Sequence, residues 1–340
     1  MFRDISSAIH SASMTCCPPL AKRFLQRRRA MSDFLRITTR VLLAFSLLIA
    51  FCTRCTAASP PSLHALEKIA STQTIILGYQ DDAFPFSWQN GNDPAGYSID
   101  ICKNIVSALK TKLQLKKLNI EWVKTNSASQ FVLMKNHMAD IMCIPAFYSK
   151  SRHSISEFSL PFYFSSTRYV MRKNDSSNHL GELSGHSVLV KSGTIYVEQL
   201  QKINTANALD INIQLDTNNV AAFNELKNGE YSALISSTVL LKGMIAQATN
   251  PEDYALSKIA LSAPLPAGLL LPLHDKEFKE FVDSALSSLM TSKEFTALYT
   301  KWFQSPIPPG AINLNIPMSD NLKALTAAKK KISFDYEKYN

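Results

Sequence analysis

The chain has 340 residues, more than one compact core usually takes, and its 46% hydrophobic and 19% charged residues are ordinary for a globular protein, so two lobes or domains are expected. The formal charge of +9 is concentrated at the start: residues 1–58 hold nine Lys/Arg against Asp4 and Asp33, and the remainder carries 27 basic and 25 acidic residues. The body is therefore nearly neutral, with no basic stripe for phosphates, and nucleic-acid binding is excluded.

Residues 1–58 read as an N-terminal extension and signal peptide. "MSDFLRITTR" supplies a positive start from Met31, "VLLAFSLLIAF" an apolar core, and "CTAAS" small residues for cleavage near Ala57 or Ala58. The competing reading is a membrane anchor, but the apolar run is shorter than the roughly 20 residues a span needs. The basic "KRFLQRRRAM" is unusual in a signal and points to translation beginning at Met31. Bulky Phe51 disfavours a lipoprotein site at Cys52. No other long apolar run follows, so the mature protein is expected to be soluble and periplasmic.

After "SPPS", strand-like and helix-like runs alternate. "TIILGY" is β-rich, and "GYSIDICKNIVSALKTKL" places Ile101, Ile105 and Leu109 at helical spacing. "NIEWV" predicts a strand, "SASQFVLMKNH" a helix and "ADIMCIPA" a buried strand. A second series follows: "HSVLVKSGTIYVEQLQKI" is strand, turn and helix, and "INIQL" a strand. "NNVAAFNELKNGE" is a helix closed by Gly229, and "YSALISS" a strand leading into "TVLLKGMIAQA". Asp275–Leu289 and Lys293–Phe303 look helical, and "SPIPPG" ends the latter. This alternation predicts an α/β protein with largely parallel sheets.

Two extended stretches, "FYFSSTRYVMR" and "LSAPLPAGLLLPL", stand where one lobe could hand over to the other and back. Residues 59–166 with 267–310 are expected to form the first lobe, 167–266 the second, and 311–340 a C-terminal tail packed on the lobes. Ligands of open α/β sheets lie beyond the carboxyl ends of the strands, so the cleft between the lobes is the expected site.

Cys16, Cys17, Cys52 and Cys55 leave with the signal, and Cys102 and Cys143 remain. They either bridge in an oxidising compartment or are two small buried side chains. No CxxC pair or histidine cluster with metal spacing occurs in the mature region, and neither metal nor cofactor is expected. "KSGT" at Lys191–Thr194 has too few glycines to cradle a phosphate, and no GxSxG elbow occurs. "SGT" before a helix has one of two uses: its amides receive an anion, or Ser192 or Thr194 caps the helix. Arg152, in "SKSRHSISEFSLPF", either points into water or waits for an anion, because a buried arginine without a partner is costly.

"LEKIASTQTIILGYQDDAFPFSW", "GYSIDICKNIV", the Arg152 segment with "FSLPF", "VKSGT" and "KWFQSPIPPGAINLNIPMSDNLKAL" together resemble bacterial extracytoplasmic amino-acid-binding proteins. These are the receptors of polar amino-acid ABC importers, and the chain is most similar to their glutamate/aspartate-binding branch. The resemblance runs from about Leu63 to Leu325. It implies a two-lobed periplasmic binding protein type II fold with a two-strand hinge and an inter-lobe cleft. It also implies a role for Arg152, which stands where the family's arginine clamps the ligand α-carboxylate; a planar guanidinium suits that task with two parallel N–H bonds. Ser192, Gly193 and Thr194 match the other lobe's contribution.

Elsewhere the sequence departs from that branch. Where the branch holds the glutamate side-chain carboxylate with two arginines and a histidine, this chain has Gln80, then Gln130 or Ser129, then Asn219. Pro145, Ala146 and Phe147 replace hydroxyl residues. Ser237 or Thr238 stands for the acid that receives the ligand ammonium, and Leu269 or a neighbour for the disulfide partner of Cys143. The pocket is thus expected to keep the carboxylate end and to disfavour glutamate and aspartate. Phe84, Phe86, Trp88 and Phe147 are candidates for an aromatic lining, with Phe86 read rather as core.

The expected function is that of a monomeric binding protein that delivers an amino acid or related small carboxylate to an ABC permease in the inner membrane. The alternatives are a cyclohexadienyl or arogenate dehydratase-like enzyme, in which Asp81 or Asp82 would serve if it points inward, and a periplasmic sensor.

Overall fold

The computed structural model describes residues 64–175, 179–308, 310–328 and 331–339. The segment read as a signal, with Met31 and four of the cysteines, lies outside them. After helix α1 (Ala65–Thr72), strand β1 (Thr74–Tyr79) buries Ile75 and Leu77 completely. A small antiparallel sheet follows, made of β2 (Asp82–Ala83), β3 (Ser87–Asn90) and β4 (Asp93–Ala95). Its strands are too short to show a period of two, so nothing in the sequence pattern announces them.

Helix α2 (Tyr97–Lys112) buries Ile101, Ile105 and Leu109, the face its spacing predicts. Then come β5 (Asn119–Lys124), α3 (Gln130–Lys135) and β6 (Ile141–Phe147). Helix α3 starts later than its apolar pattern suggests, because the Asn126 side chain accepts from the amides of Ala128 and Ser129 and holds a turn there. The one-turn helix α4 (Lys150–His153) carries Arg152, and β7 (Glu157–Phe158) and β8 (Tyr163–Ser165) complete this stretch.

The second series is β9 (Thr167–Arg172), β10 (Ser187–Lys191), α5 (Ile195–Ala206), β11 (Asn212–Asp216), α6 (Asn219–Asn228), β12 (Ala233–Ser237), α7 (Thr238–Gln247) and β13 (Tyr254–Leu256). Strand β14 (Leu265–Leu271) then returns to the first sheet, before α8 (Lys276–Met290), α9 (Lys293–Phe303) and α10 (Asp320–Thr326).

Two main sheets result. The first runs β5-β1-β6-β14-β7, with β8 also on β14; the second runs β11-β10-β12-β9-β13. In each, three parallel strands carry the βα alternation: β1 pairs parallel with β5 and β6, and β10 pairs parallel with β11 and β12. The inner strands β6 and β12 are buried along their length, which is why "ADIMCIPA" and "YSALISS" are rich in apolar and small residues, whereas the edge strands β5 and β11 are only partly covered.

The chain passes between the sheets twice, from β8 to β9 and from β13 to β14. The two crossings are bonded to each other: Leu261 N donates to Thr167 O at 2.8 Å, and Thr167 N to Ser262 Oγ at 3.0 Å. They fall on the two extended stretches read from the sequence and form the two-strand hinge of a two-lobed fold. The C-terminal segment closes on the first sheet, where Tyr336 donates its phenol to Ser159 O at 2.7 Å and Ile332 N donates to Ser287 Oγ at 3.0 Å.

Cys102 on α2 and Cys143 on β6 are joined as a disulfide, with Cα atoms 6.0 Å apart. The bridge thus ties a helix to the sheet, whereas Leu269 lies on the neighbouring strand β14 as an ordinary core residue. Cross-linking residues 41 apart in sequence restricts the unfolded chain by about 4 kcal/mol. Urea unfolding with and without a reductant checks this: reduction, or the double change Cys102→Ala with Cys143→Ala, is expected to remove about 3–4 kcal/mol.

Candidate functional site

Arg152 reaches the cleft because β6 ends just before it and α4 turns its side chain back. Ser149 caps that turn, its hydroxyl accepting from Arg152 N at 3.4 Å. The guanidinium donates from Nη1 to Phe147 O at 3.2 Å and from Nη2 to Gly193 O, across the cleft, at 2.8 Å. It stands over the Phe131 ring, 5.3 Å from its centre. Among the described residues no carboxylate pairs with it. Burial lowers its pKa to about 10, against the opposing pull of Tyr196 and Glu198, so it stays charged at neutral pH. Its present partners are carbonyl dipoles, and its charge is unmatched.

The second lobe supplies another cation. Lys191 ends β10 and is 2% exposed. Its ammonium donates to both oxygens of Asp82, at 2.8 and 2.6 Å, and to Gln80 Oε1 at 3.3 Å. Asn219, at the start of α6, also holds Asp82: its backbone N–H donates to Oδ2 at 2.7 Å and its Nδ2 to the Asp82 carbonyl at 3.0 Å. From Gln80 the bonding continues within the first lobe. Gln80 Nε2 donates to Ser127 Oγ at 3.2 Å, and Gln130 Nε2 to Ser127 O at 3.0 Å. One hydrogen-bonded chain therefore runs Gln130–Ser127–Gln80–Lys191–Asp82–Asn219 and joins the two lobes.

Two glycines let the lobes come this close. Gly193 has φ +71°, and a Cβ there would lie 2.5 Å from Ala128 Cα of the first lobe. A Cβ on Gly243 of α7 would lie 2.7 Å from Phe84 O. Between the lobes a small cavity of about 40 Å³ remains, and Gln80, Gln130, Phe147, Arg152, Gly193, Thr194 and Asn219 all line it.

The profile of the bacterial extracellular solute-binding proteins, family 3, matches residues 75–305. The chain belongs to this family. An L-glutamate/L-aspartate-binding protein of Pseudomonas aeruginosa is 31% identical over 265 residues, 77% of this chain and 87% of the relative. A glutamate/aspartate import solute-binding protein of Escherichia coli is 29% identical over 269 residues, 79% of this chain and 89% of the relative. Among solved structures, the solute receptor for L-cysteine of Neisseria gonorrhoeae superposes with a TM-score of 0.63 at 18% identity, covering 70% of this chain and 93% of that one. The ancestral amino-acid-binding protein that preceded cyclohexadienyl dehydratase gives 0.60 at 20% identity, over 70% and 98%. Both share the two-lobed α/β architecture found here.

Within this solute-binding family member, several residues picked from the sequence lie elsewhere. Ser192 is turned to β11, its amide donating to Asp216 O at 2.7 Å, and it does not line the cavity. Ser237 caps α7 by accepting from Leu240 N, and Thr238 donates its hydroxyl to Ser166 O at 2.9 Å. Neither lines the cavity; Ser236, one residue earlier, does. Thr194 ends β10's turn with its hydroxyl donated to Lys191 O at 2.6 Å. Ser129 is taken up by Thr125 and Asn126, so of the pair Gln130 or Ser129 it is Gln130 that faces the cavity. Of the four aromatic candidates, only Phe147 lines it; Phe86 is core against Tyr163 and Phe303, and Phe84 packs on Trp88.

The sequence reading missed Lys191, Ser127, Tyr196 and Ser236 as cavity residues. Lys191 carried a usable signal, since it ends a parallel strand just before a helix, where ligands of such sheets gather. Tyr196 is wholly buried; burial raises its pKa despite Ser237 and the Arg152 charge, so its phenol stays neutral.

Removing one member of a buried ion pair costs about 3–5 kcal/mol when the other stays buried. Here the pair can escape that cost by parting the lobes, which returns Asp82 to water. Lys191→Met is therefore expected to open the molecule, seen as a larger radius of gyration in small-angle scattering. Lys191→Met combined with Asp82→Leu is expected to restore the compact form.

Proposed function

We propose that this family member is the extracytoplasmic substrate-binding protein of an amino-acid ABC importer, holding an amino acid or related small carboxylate by its carboxylate group. One observation carries the reading. Arg152 is charged, lies at the cleft, bonds to a carbonyl from each lobe and has no acid partner among the described residues. A carboxylate there takes a bidentate pair of N–H bonds, and Thr194 and the Gly193 turn face it from the second lobe. Contacts with both lobes favour closure without any covalent chemistry.

In this reading residues 1–58 direct export to the periplasm. Residues 59–166 with 267–310 and residues 167–266 are the closing lobes, with 311–340 as the tail, and a monomer presents its closed form to a permease in the inner membrane. The glutamate/aspartate-binding relatives point to an amino-acid-sized ligand. The cavity walls support a different side-chain preference, because Gln80, Gln130 and Asn219 bring neutral amides. The dehydratase alternative is less well supported, since it needs a positioned acid or base. Among the described residues lining the cavity none is a carboxylate or histidine; Asp81 pairs with Lys124, and Asp82 is held by Lys191.

A charge-assisted bond contributes about 1.5–3 kcal/mol, which is about 10- to 150-fold in affinity. For any acid found in a thermal-shift screen of amino acids and small carboxylic acids, Arg152→Ala is expected to weaken binding by that factor, as read by calorimetry. Unchanged affinity would remove the carboxylate clamp. Burial lowers the guanidinium pKa to about 10, so for a carboxylic acid without an amine of its own affinity is expected to be flat from about pH 6 to 9 and to fall as pH rises through that value and the cation is lost.

A further inference from the structure

Three residues of the cavity lining, Gln130, Asn219 and Ser236, carry a buried side-chain oxygen without a hydrogen-bond partner; the Ser236 hydroxyl can donate or accept, whereas the other two are amide carbonyls that can only accept. Gln130 Oε1 and Asn219 Oδ1 are buried acceptors without a hydrogen-bond partner, on residues 5% and 2% exposed. The orientation of each amide is set by its nitrogen. Gln130 Nε2 donates to Ser127 O and Asn219 Nδ2 to Asp82 O, both backbone carbonyls that can only accept. Turning either amide over would set oxygen against oxygen, so the free end is the carbonyl in both.

Both residues line the same cavity as Arg152, where charge is otherwise accounted for. Lys191 is matched by Asp82, leaving one cation for one anionic group. A second carboxylate placed against Gln130 and Asn219 would meet two carbonyl oxygens, with the Ser236 hydroxyl as a neutral donor in the same lining but no second free cation, and a buried charge in that setting is disfavoured. An N–H or O–H donor would instead satisfy oxygens that are costly to leave unpaired.

We infer that the ligand carries one carboxylate and, at its far end, an uncharged hydrogen-bond donor, a carboxamide NH₂ or a hydroxyl, received by Gln130 Oε1 and Asn219 Oδ1. This rests on the reading of Arg152 as the carboxylate anchor. The predicted class is small monocarboxylic acids with an amide or hydroxyl end; in L-glutamine or L-asparagine the ammonium would be received by hydroxyl and carbonyl oxygens, since no carboxylate is among the described lining residues. The positions that would hold a second carboxylate thus have their polarity reversed.

Calorimetry on the purified protein with isosteric pairs tests this: L-glutamine against L-glutamate, L-asparagine against L-aspartate, and glutaramate against glutarate. At least one amide is expected to bind tenfold or more tightly than its acid. That ratio is expected to shrink to less than threefold in Gln130→Met or Asn219→Ala, whose folding is checked by thermal melting. A merely structural role would weaken both members of a pair alike and leave the ratio unmoved. The inference is overturned if the acid binds as tightly as the amide while Arg152→Ala still weakens binding about tenfold or more, or if both variants keep the wild-type ratio. If none of the six compounds binds, or binding ignores Arg152→Ala, the anchor reading itself is lost and this inference goes with it.

Discussion

The ion pair between Lys191 and Asp82 fixes much of what the cleft can do. Both side chains are almost wholly removed from water, at 3% and 4% exposure, and each belongs to a different lobe. A lone ion in that position would be strongly penalised, so the pair holds the lobes together as much as the lobes hold the pair. Asn219 adds two more bonds to the same aspartate, one to its carboxylate and one to its carbonyl. The result is a seam in which closure satisfies polar groups that would otherwise need water. Arg152 is the exception, a cation answered by two carbonyls and the face of Phe131, with no carboxylate among the described residues paired to it.

That difference between the two cations bears on how the protein relates to its family. The chain shares the two-lobed architecture and about 30% identity with relatives named for glutamate and aspartate. Its cleft nevertheless spends one positive side chain on an internal aspartate and builds the adjoining wall from amides. Such differences in the cleft leave the fold untouched, because the sheets and their helices are set by buried apolar faces.

The same separation explains what could be read from the sequence. The alternation was legible because the inner strands β6, β10 and β12 are buried along nearly their whole length and read as apolar-rich runs, and because α2 leaves a spacing near 3.6 residues. Arg152, Gln80, Gln130 and Asn219 were legible through resemblance, since their positions matched a known pattern even where their identities did not. Lys191 was legible only as a residue at the end of a parallel strand; its burial and pairing were not, because they depend on an aspartate 109 residues earlier being placed opposite it. Ser236 and Ser237 differ by one residue on a strand, and a single step decides which of them faces the cavity. The Cys102–Cys143 bridge was open for the same reason: pairing depends on where α2 lies over β6, which no local pattern reports.

The absent side chain at Gly193 has a mechanical meaning. Its backbone passes so near Ala128 on the facing lobe that an added Cβ would lie 2.5 Å from the Ala128 Cα, closer than two non-bonded carbon atoms can approach. A methyl group there would act as a wedge, stopping the jaws short and pulling the Gly193 carbonyl away from Arg152. Such a molecule could still touch its cargo with one jaw, yet it would be unable to wrap it.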